Sequence, residues 1–222
     1  MGLTVSRVIR DLDDIAIGRR NTPLILVISR AAFAALFLFA LATYFIDGLF
    51  PLSTLDLPWL GYLLVIYILA EYIYRIFRQR GIDLTFAFPL MFFVILLHMV
   101  SVWLNGQERV PLLNRAEHFT SYILITYIIW VFFIQYLPQR VWRRHPYYTA
   151  LLVFSVASAF GSLNEIVELI LERVFASPLI GDRLDTSLDI LMNTLGSAMF
   201  LATRLILGAA EEEKRQRRRK QA

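Results

Sequence analysis

Apolar residues fall into six long blocks along this chain, and most polar residues are confined to the seams between them. The blocks lie at 24–46, 57–77, 84–104, 116–137, 148–171 and 186–208. At 1.5 Å per helical residue, each crosses a hydrocarbon core of about 30 Å. The seams hold the breakers and charges: Asp47 to Asp56 with Pro51, Gln79-Arg80-Gly81, Asn105 to Arg115, Pro138 to Pro146, and Glu172 to Asp185. The pattern predicts an all-α, polytopic membrane helix bundle of about six transmembrane helices. It forms one domain over 1–210, followed by a basic tail at 211–222. Ahead of the first block, Val5, Val8, Ile9, Leu12 and Ile15 recur at helical spacing with Arg and Asp opposite. That predicts a short helix lying in the membrane interface. Ala40-Leu41-Ala42 has the small-x-small form of a cleavage site. The apolar run before it is too long for a signal peptide, so the first block reads as a retained span.

Composition agrees with the pattern. Of 222 residues, 58% are hydrophobic and 18% charged, against about 45–50% and 25% in soluble domains. The absence of cysteine excludes disulfides, thiolate metal sites and cysteine nucleophiles. The net charge of +4 does not imply nucleic acid, because the basic residues flank apolar spans. Arg7, Arg10, Arg19 and Arg20 precede the first span, the first seam has no basic residue, and Arg140, Arg143 and Arg144 lie in the fourth. Lys214, Arg215, Arg217, Arg218, Arg219 and Lys220 fill the tail. The richer side bears both termini, which places them in the cytoplasm of a bacterial-type inner membrane. The tail is expected to touch anionic lipid. Trp59, Tyr62, Trp103, Trp142, Tyr147 and Tyr148 read as interfacial anchors.

Against this background the carboxylates inside the spans are the informative residues. An ionised Asp at mid-span costs about 2.5–3.5 kcal/mol on insertion scales, so it persists with a partner or a task. Asp185, Asp189 and Asn193 are four apart at the start of the last span, and Glu165 and Glu168 are three apart late in the fifth. Each set lines one helical stripe. Orientation brings His118 at the start of the fourth span and His98 near the end of the third to the same outer level. Gly161-Ser162 and Gly196-Ser197-Ala198 are small enough to press the fifth and sixth spans together.

Each group also has a structural reading. His118 could pair with Glu117 or Asn114, Glu165 could sit in a buried ion pair, and Asn193 could join helices. Asp185 could cap the last helix. His98 reads as a hydrogen-bonded core residue. Glu71 and Arg75 read as an i, i+4 pair, and Arg30 and Arg204 as residues that snorkel to the interface.

The pattern Glu165-x-x-Glu168, Asp185-Thr186-x-x-Asp189 and Arg115-x-x-His118-Phe119 resembles the YjdF-like bacterial inner-membrane family. The ending Asp189-x-x-x-Asn193-x-x-Gly196, with His118 and Glu165, also resembles the VanZ-like family, which includes a protein associated with resistance to teicoplanin. The resemblance covers roughly residues 110–200 and implies a fold and a site, with no established reaction. Asn114 stands where both families usually carry Asp, and Asn164 where YjdF-like chains tend to have Tyr.

Three functions follow from one candidate site. An outer-leaflet enzyme acting on a lipid or envelope precursor would use His118, Glu165 and Asp189 in catalysis, with Glu168, Asp185 and Asn193 binding ligand. His118, Glu165, Asp185 and Asp189 are candidate ligands for a divalent metal ion, although their spacing matches no metal signature. The same pocket suits a non-catalytic binding protein or scaffold. It also suits a small ion-coupled transporter, against which no internal repeat is visible.

Overall fold

The computed structural model describes residues 23–46, 57–105, 111–175 and 183–221, and every regular element among them is helical. In chain order these are α1 (Pro23–Phe45), α2 (Leu57–Gln79), α3 (Ala87–Asn105), α4 (Pro111–Tyr136), α5 (Gln139–Arg144), α6 (Pro146–Phe175) and α7 (Arg183–Gln221). Five of the helices, α1, α2, α4, α6 and α7, are long and apolar enough to cross a membrane, and α3 carries a shorter apolar stretch at Ala87–Val100. The protein is a polytopic helical membrane protein. The N-terminal interfacial helix expected at 4–17 lies outside the described residues.

Three helices differ from the sequence expectation. α4 starts five residues before the expected 116, because Pro111 is pre-set for a first helical turn and Asn114, Arg115 and Glu117 all find partners. α7 continues through the basic tail to Gln221 instead of ending near 208. The seam at 138–146 contains α5, a helix of six residues that is too short to produce a periodic signal.

The bundle divides into two packed halves. α4, α6 and α7 pack most extensively, α4 on α7 above all, while α1, α2 and α3 form a looser group. The α2–α3 turn is fixed by its backbone: Gly81 has φ +80, the Gly81 N–H bonds the Arg78 carbonyl and the Ile82 N–H the Phe77 carbonyl. That is a Schellman ending, and it requires a residue tolerant of positive φ. Gln135 on α4 then holds the turn by donating to the Asp83 carbonyl and accepting the Asp83 N–H, both at 2.9 Å.

At this end of the bundle the core is apolar, with Ile129, Trp130, Val131, Val153, Ala157 and Leu201 buried together. A smaller apolar cluster of Phe33, Ala40, Leu60, Leu63, Ile95 and Met99 joins α1, α2 and α3. Glu71 does not pair with Arg75. Its carboxylate takes two hydrogen bonds from Arg30, each at 2.6 Å, and one from Tyr67 at 3.2 Å. Arg75 is exposed, and Arg30 ties α1 to α2 instead of reaching for the interface. The cross-helix fork wins because it is bidentate and partly shielded.

Candidate functional site

At the opposite end, where α4 and α7 begin and α6 nears its finish, the polar residues of three helices meet. Helical spacing explains the meeting. On α4, His118, Tyr122 and Thr126 are four apart, with Arg115 one turn before His118. On α7, Asp185, Asp189, Asn193 and Ser197 form a second stripe, and on α6 Ala157, Gly161 and Glu165 form a third. Glu165, Asp189, Asn193 and Ser197 are all buried.

Small residues bring these stripes together, though not in the expected pairing. A Cβ on Gly196 would overlap the Phe119 carbonyl oxygen, so this glycine sets the approach of α7 to α4 and not to α6. Gly161 does face α7: a Cβ there would meet Asn193 Cβ and Tyr122 Cε1, each at 3.4 Å. Thr126 and Ser197 bridge α4 and α7 at 2.9 Å just below the polar cluster.

Arg115 organises the end of the cluster nearest the start of α4. Its guanidinium forks between Asp185 and Asp189, and Asn114 donates to the two Asp189 oxygens at 3.2 and 3.4 Å. Position 114 therefore works as a donor, a role an ionised Asp could not fill. Asp185 is engaged across the bundle by Arg115, so the reading of it as solely a helix cap is corrected.

Deeper in, one oxygen or nitrogen from each of His118, Glu165 and Asp189 lies within 4.8 Å of the others. His118 Nδ1 lies 3.1 Å from Asn193 Oδ1 and 4.0 Å from Glu165 Oε1, and His118 Nε2 lies 3.7 Å from Asp189 Oδ1. His118 thus faces Asn193, and neither Glu117 nor Asn114 pairs with it in the way its sequence neighbourhood suggested. Glu117 instead meets His98 on α3 at 2.6 Å, so His98 is a hydrogen-bonded residue of the bundle.

Glu168 stands apart from the trio. Asn164 donates to it at 2.6 Å and accepts from Tyr62 on α2 at 2.9 Å. Tyr62, expected as an interfacial anchor, is instead a cross-helix donor. Of the candidate metal ligands, His118, Glu165 and Asp189 converge, while Asp185 is drawn toward Arg115.

Sequence reasoning named Arg115 in the resemblance motif and Asn114 as a partner for His118, but missed their bonds to Asp185 and Asp189 and the Tyr62–Asn164–Glu168 chain. The available signal was Arg115 three residues before His118, on the same helical face.

A family model described as "Predicted membrane protein (DUF2238)" matches residues 28–209. The chain belongs to that family. The match takes in both halves of the bundle, from within α1 to within α7. No curated protein and no solved structure gives a match.

Proposed function

We propose that this protein binds a lipid or a lipid-linked envelope precursor at the His118–Glu165–Asp189 cluster, in the outer half of a bacterial inner membrane. One observation carries the reading. A largely buried cluster of ionisable side chains sits within spanning helices beside a sparsely packed seam of the bundle, between α2 and α6. Tyr62 and Asn164 bridge that seam with a hydrogen bond of 2.9 Å. On α6 the flanking Leu163, Ile166, Leu169 and Ile170 are about half exposed, as lipid-facing residues are. A ligand with an apolar tail and a polar head has a lateral way in here, with Arg115 and the acids to meet its head group.

The outer placement follows from the basic tail of α7 lying in the cytoplasm. The motif that resembles YjdF-like and VanZ-like chains supports an envelope ligand, since one VanZ-like protein is associated with glycopeptide resistance. Capture is the minimal activity. Turnover would assign acid and base roles to Glu165, Asp189 and His118. A transporter is the weaker reading, because below Thr126–Ser197 the α4–α6–α7 core is closed by Val131, Val153 and Ala157, each fully buried.

The test is mass spectrometry of lipids retained by the protein after mild detergent extraction. Wild type should retain one lipid class well above its membrane abundance, and Glu165→Gln and Asp189→Asn should lose the enrichment. Identical retained lipids in all three proteins would reject the reading.

A further inference from the structure

We propose that His118, Glu165 and Asp189 hold a divalent cation of the borderline class, Zn²⁺ or Mn²⁺, in the bundle. The inference rests on this cluster being the working site, and it does not require the ligand to be a lipid.

The donor set is the first argument. One imidazole and two carboxylates, from three different helices, lie within 4.8 Å of one another. Two donors on a tetrahedral ion with bonds of about 2.0–2.1 Å are about 3.3 Å apart, so closing the set takes side-chain movement of at most about 1.5 Å. Mixed nitrogen and carboxylate donors suit Zn²⁺ or Mn²⁺ better than the all-oxygen preference of Ca²⁺.

The second argument is an unmet group. Glu165 is 5% exposed, and its Oε1 has no hydrogen-bond partner among the described residues. It lies 4.0 Å from His118 Nδ1, beyond hydrogen-bond reach. A buried carboxylate oxygen without a partner is costly, and a metal ion satisfies it without a donor hydrogen.

The third argument is the orientation of His118. Asn193 Oδ1 faces the ring 3.1 Å from Nδ1, and in the neutral tautomer that donates to it Nδ1 carries the proton. Nε2 is then left with its lone pair toward Asp189 Oδ1 at 3.7 Å. Two electron-rich atoms face each other, and a cation between them removes the repulsion. Asn193 holds the tautomer as outer partners of metal-bound histidines do, and Arg115 with Asn114 steadies the Asp189 carboxylate in the same way. Charge balance points the same way. Arg115 pairs with Asp185 and Asp189, which leaves Glu165 as a further acid in the cluster without a cation of its own among the described residues, and a divalent ion offsets it.

The competing occupant of the gap is a proton on Nε2, and the experiment separates the two. The full-length protein in lipid nanodiscs is stripped with chelator and titrated with Zn²⁺ or Mn²⁺ alone. Elemental analysis then follows removal of free ion. One ion per chain is expected, bound at micromolar concentration or tighter, with a rise in the thermal unfolding temperature of the wild type. Glu165→Gln and Asp189→Asn should each weaken binding at least tenfold. Asn193→Ala should weaken it about 10–100-fold, by releasing the ring. Glu71→Gln, at the far end of the bundle, should leave it unchanged.

A folded wild type that takes up no ion overturns the proposal. So does stoichiometric binding that survives the combined Glu165→Gln/Asp189→Asn change. Because the wild-type titration needs no variant, a variant that fails to fold does not protect the idea. Metal uptake without lipid enrichment would sink only the lipid reading, and lipid enrichment without metal would sink only this one.

Discussion

Replacing Arg115 by Gln isolates its pairing with Asp185 and Asp189 at the start of α4 and α7. The Arg115 side chain is 13% exposed and that of Asp189 6%, whereas Asp185 is 32% exposed. Removing one partner of a buried ion pair costs about 3–5 kcal/mol, because the other charge is left unpaired. Asp185 can turn to water, and its share is that of a surface pair, about 0–1 kcal/mol. Asp189 keeps the two hydrogen bonds from Asn114 at 3.2 and 3.4 Å, which retain part of the stabilisation. The expected loss is therefore about 3 kcal/mol, at the low end of the buried range. If the loss arises from the stranded Asp189 charge, Asp189→Asn introduced alongside Arg115→Gln should return about 2 kcal/mol of it. Asp189→Asn alone should destabilise. The assay is equilibrium unfolding in mixed micelles with a rising fraction of denaturing detergent, followed by helical circular dichroism for all four proteins. A loss under about 1 kcal/mol for Arg115→Gln, or strict additivity across the cycle, would refute the pairing.

The same unfolding assay reaches the packing. Gly196→Ala forces a methyl onto the Phe119 backbone, which cannot swing away, so about 1–3 kcal/mol should be lost. Gly161→Ala meets side chains at 3.4 Å and should cost less; equal losses at the two glycines would contradict the closer α4–α7 approach. Glu71→Gln removes the carboxylate that Arg30 grips, but Arg30 is 36% exposed, so about 1 kcal/mol or less is expected. A larger effect would mean that the α1–α2 pair is shielded from solvent. Orientation is open to labelling, since the chain has no cysteine of its own. Single cysteines replacing Arg80 or Arg140 should react with an impermeant reagent only after cell lysis, and one replacing Gln107 should react in intact cells; the reverse pattern would invert the proposed topology.

The fold was legible where a single physical variable dominates. Blocks of about twenty apolar residues have one economical use in a bilayer, and the observed helices cover the expected blocks. Stripes were legible too, because Asp185, Asp189 and Asn193 share a face by spacing alone. What spacing does not encode is the partner. Glu71 had a suitable cation four residues away, yet Arg30, 41 positions distant, supplies the fork. Gly196 was recognisable as a contact point, but the helix it touches follows from how three helices nest. Arg115 was hardest to read. A basic residue at the edge of a span also reports topology, and only the folded bundle places it between two aspartates. The helical tail of α7 was missed for the converse reason: its run of charges hides a helix that continues the span before it.

The two halves of the bundle carry unequal shares of the chemistry. α4, α6 and α7 supply the converging acids, the histidine and the arginine, whereas α1 to α3 contribute mainly apolar packing and an ion pair at the far end. Two side chains from that first half nevertheless reach the polar end. His98 meets Glu117 at 2.6 Å, and Tyr62 meets Asn164 at 2.9 Å. Each hydrogen bond crosses from the looser half to the tighter one, and Asn164 passes its link on to Glu168. Separation of α2 from α6 would thus break Tyr62 from Asn164 and release the side chain that holds Glu168. The family match begins within α1 rather than at α4, which accords with both halves belonging to one working unit.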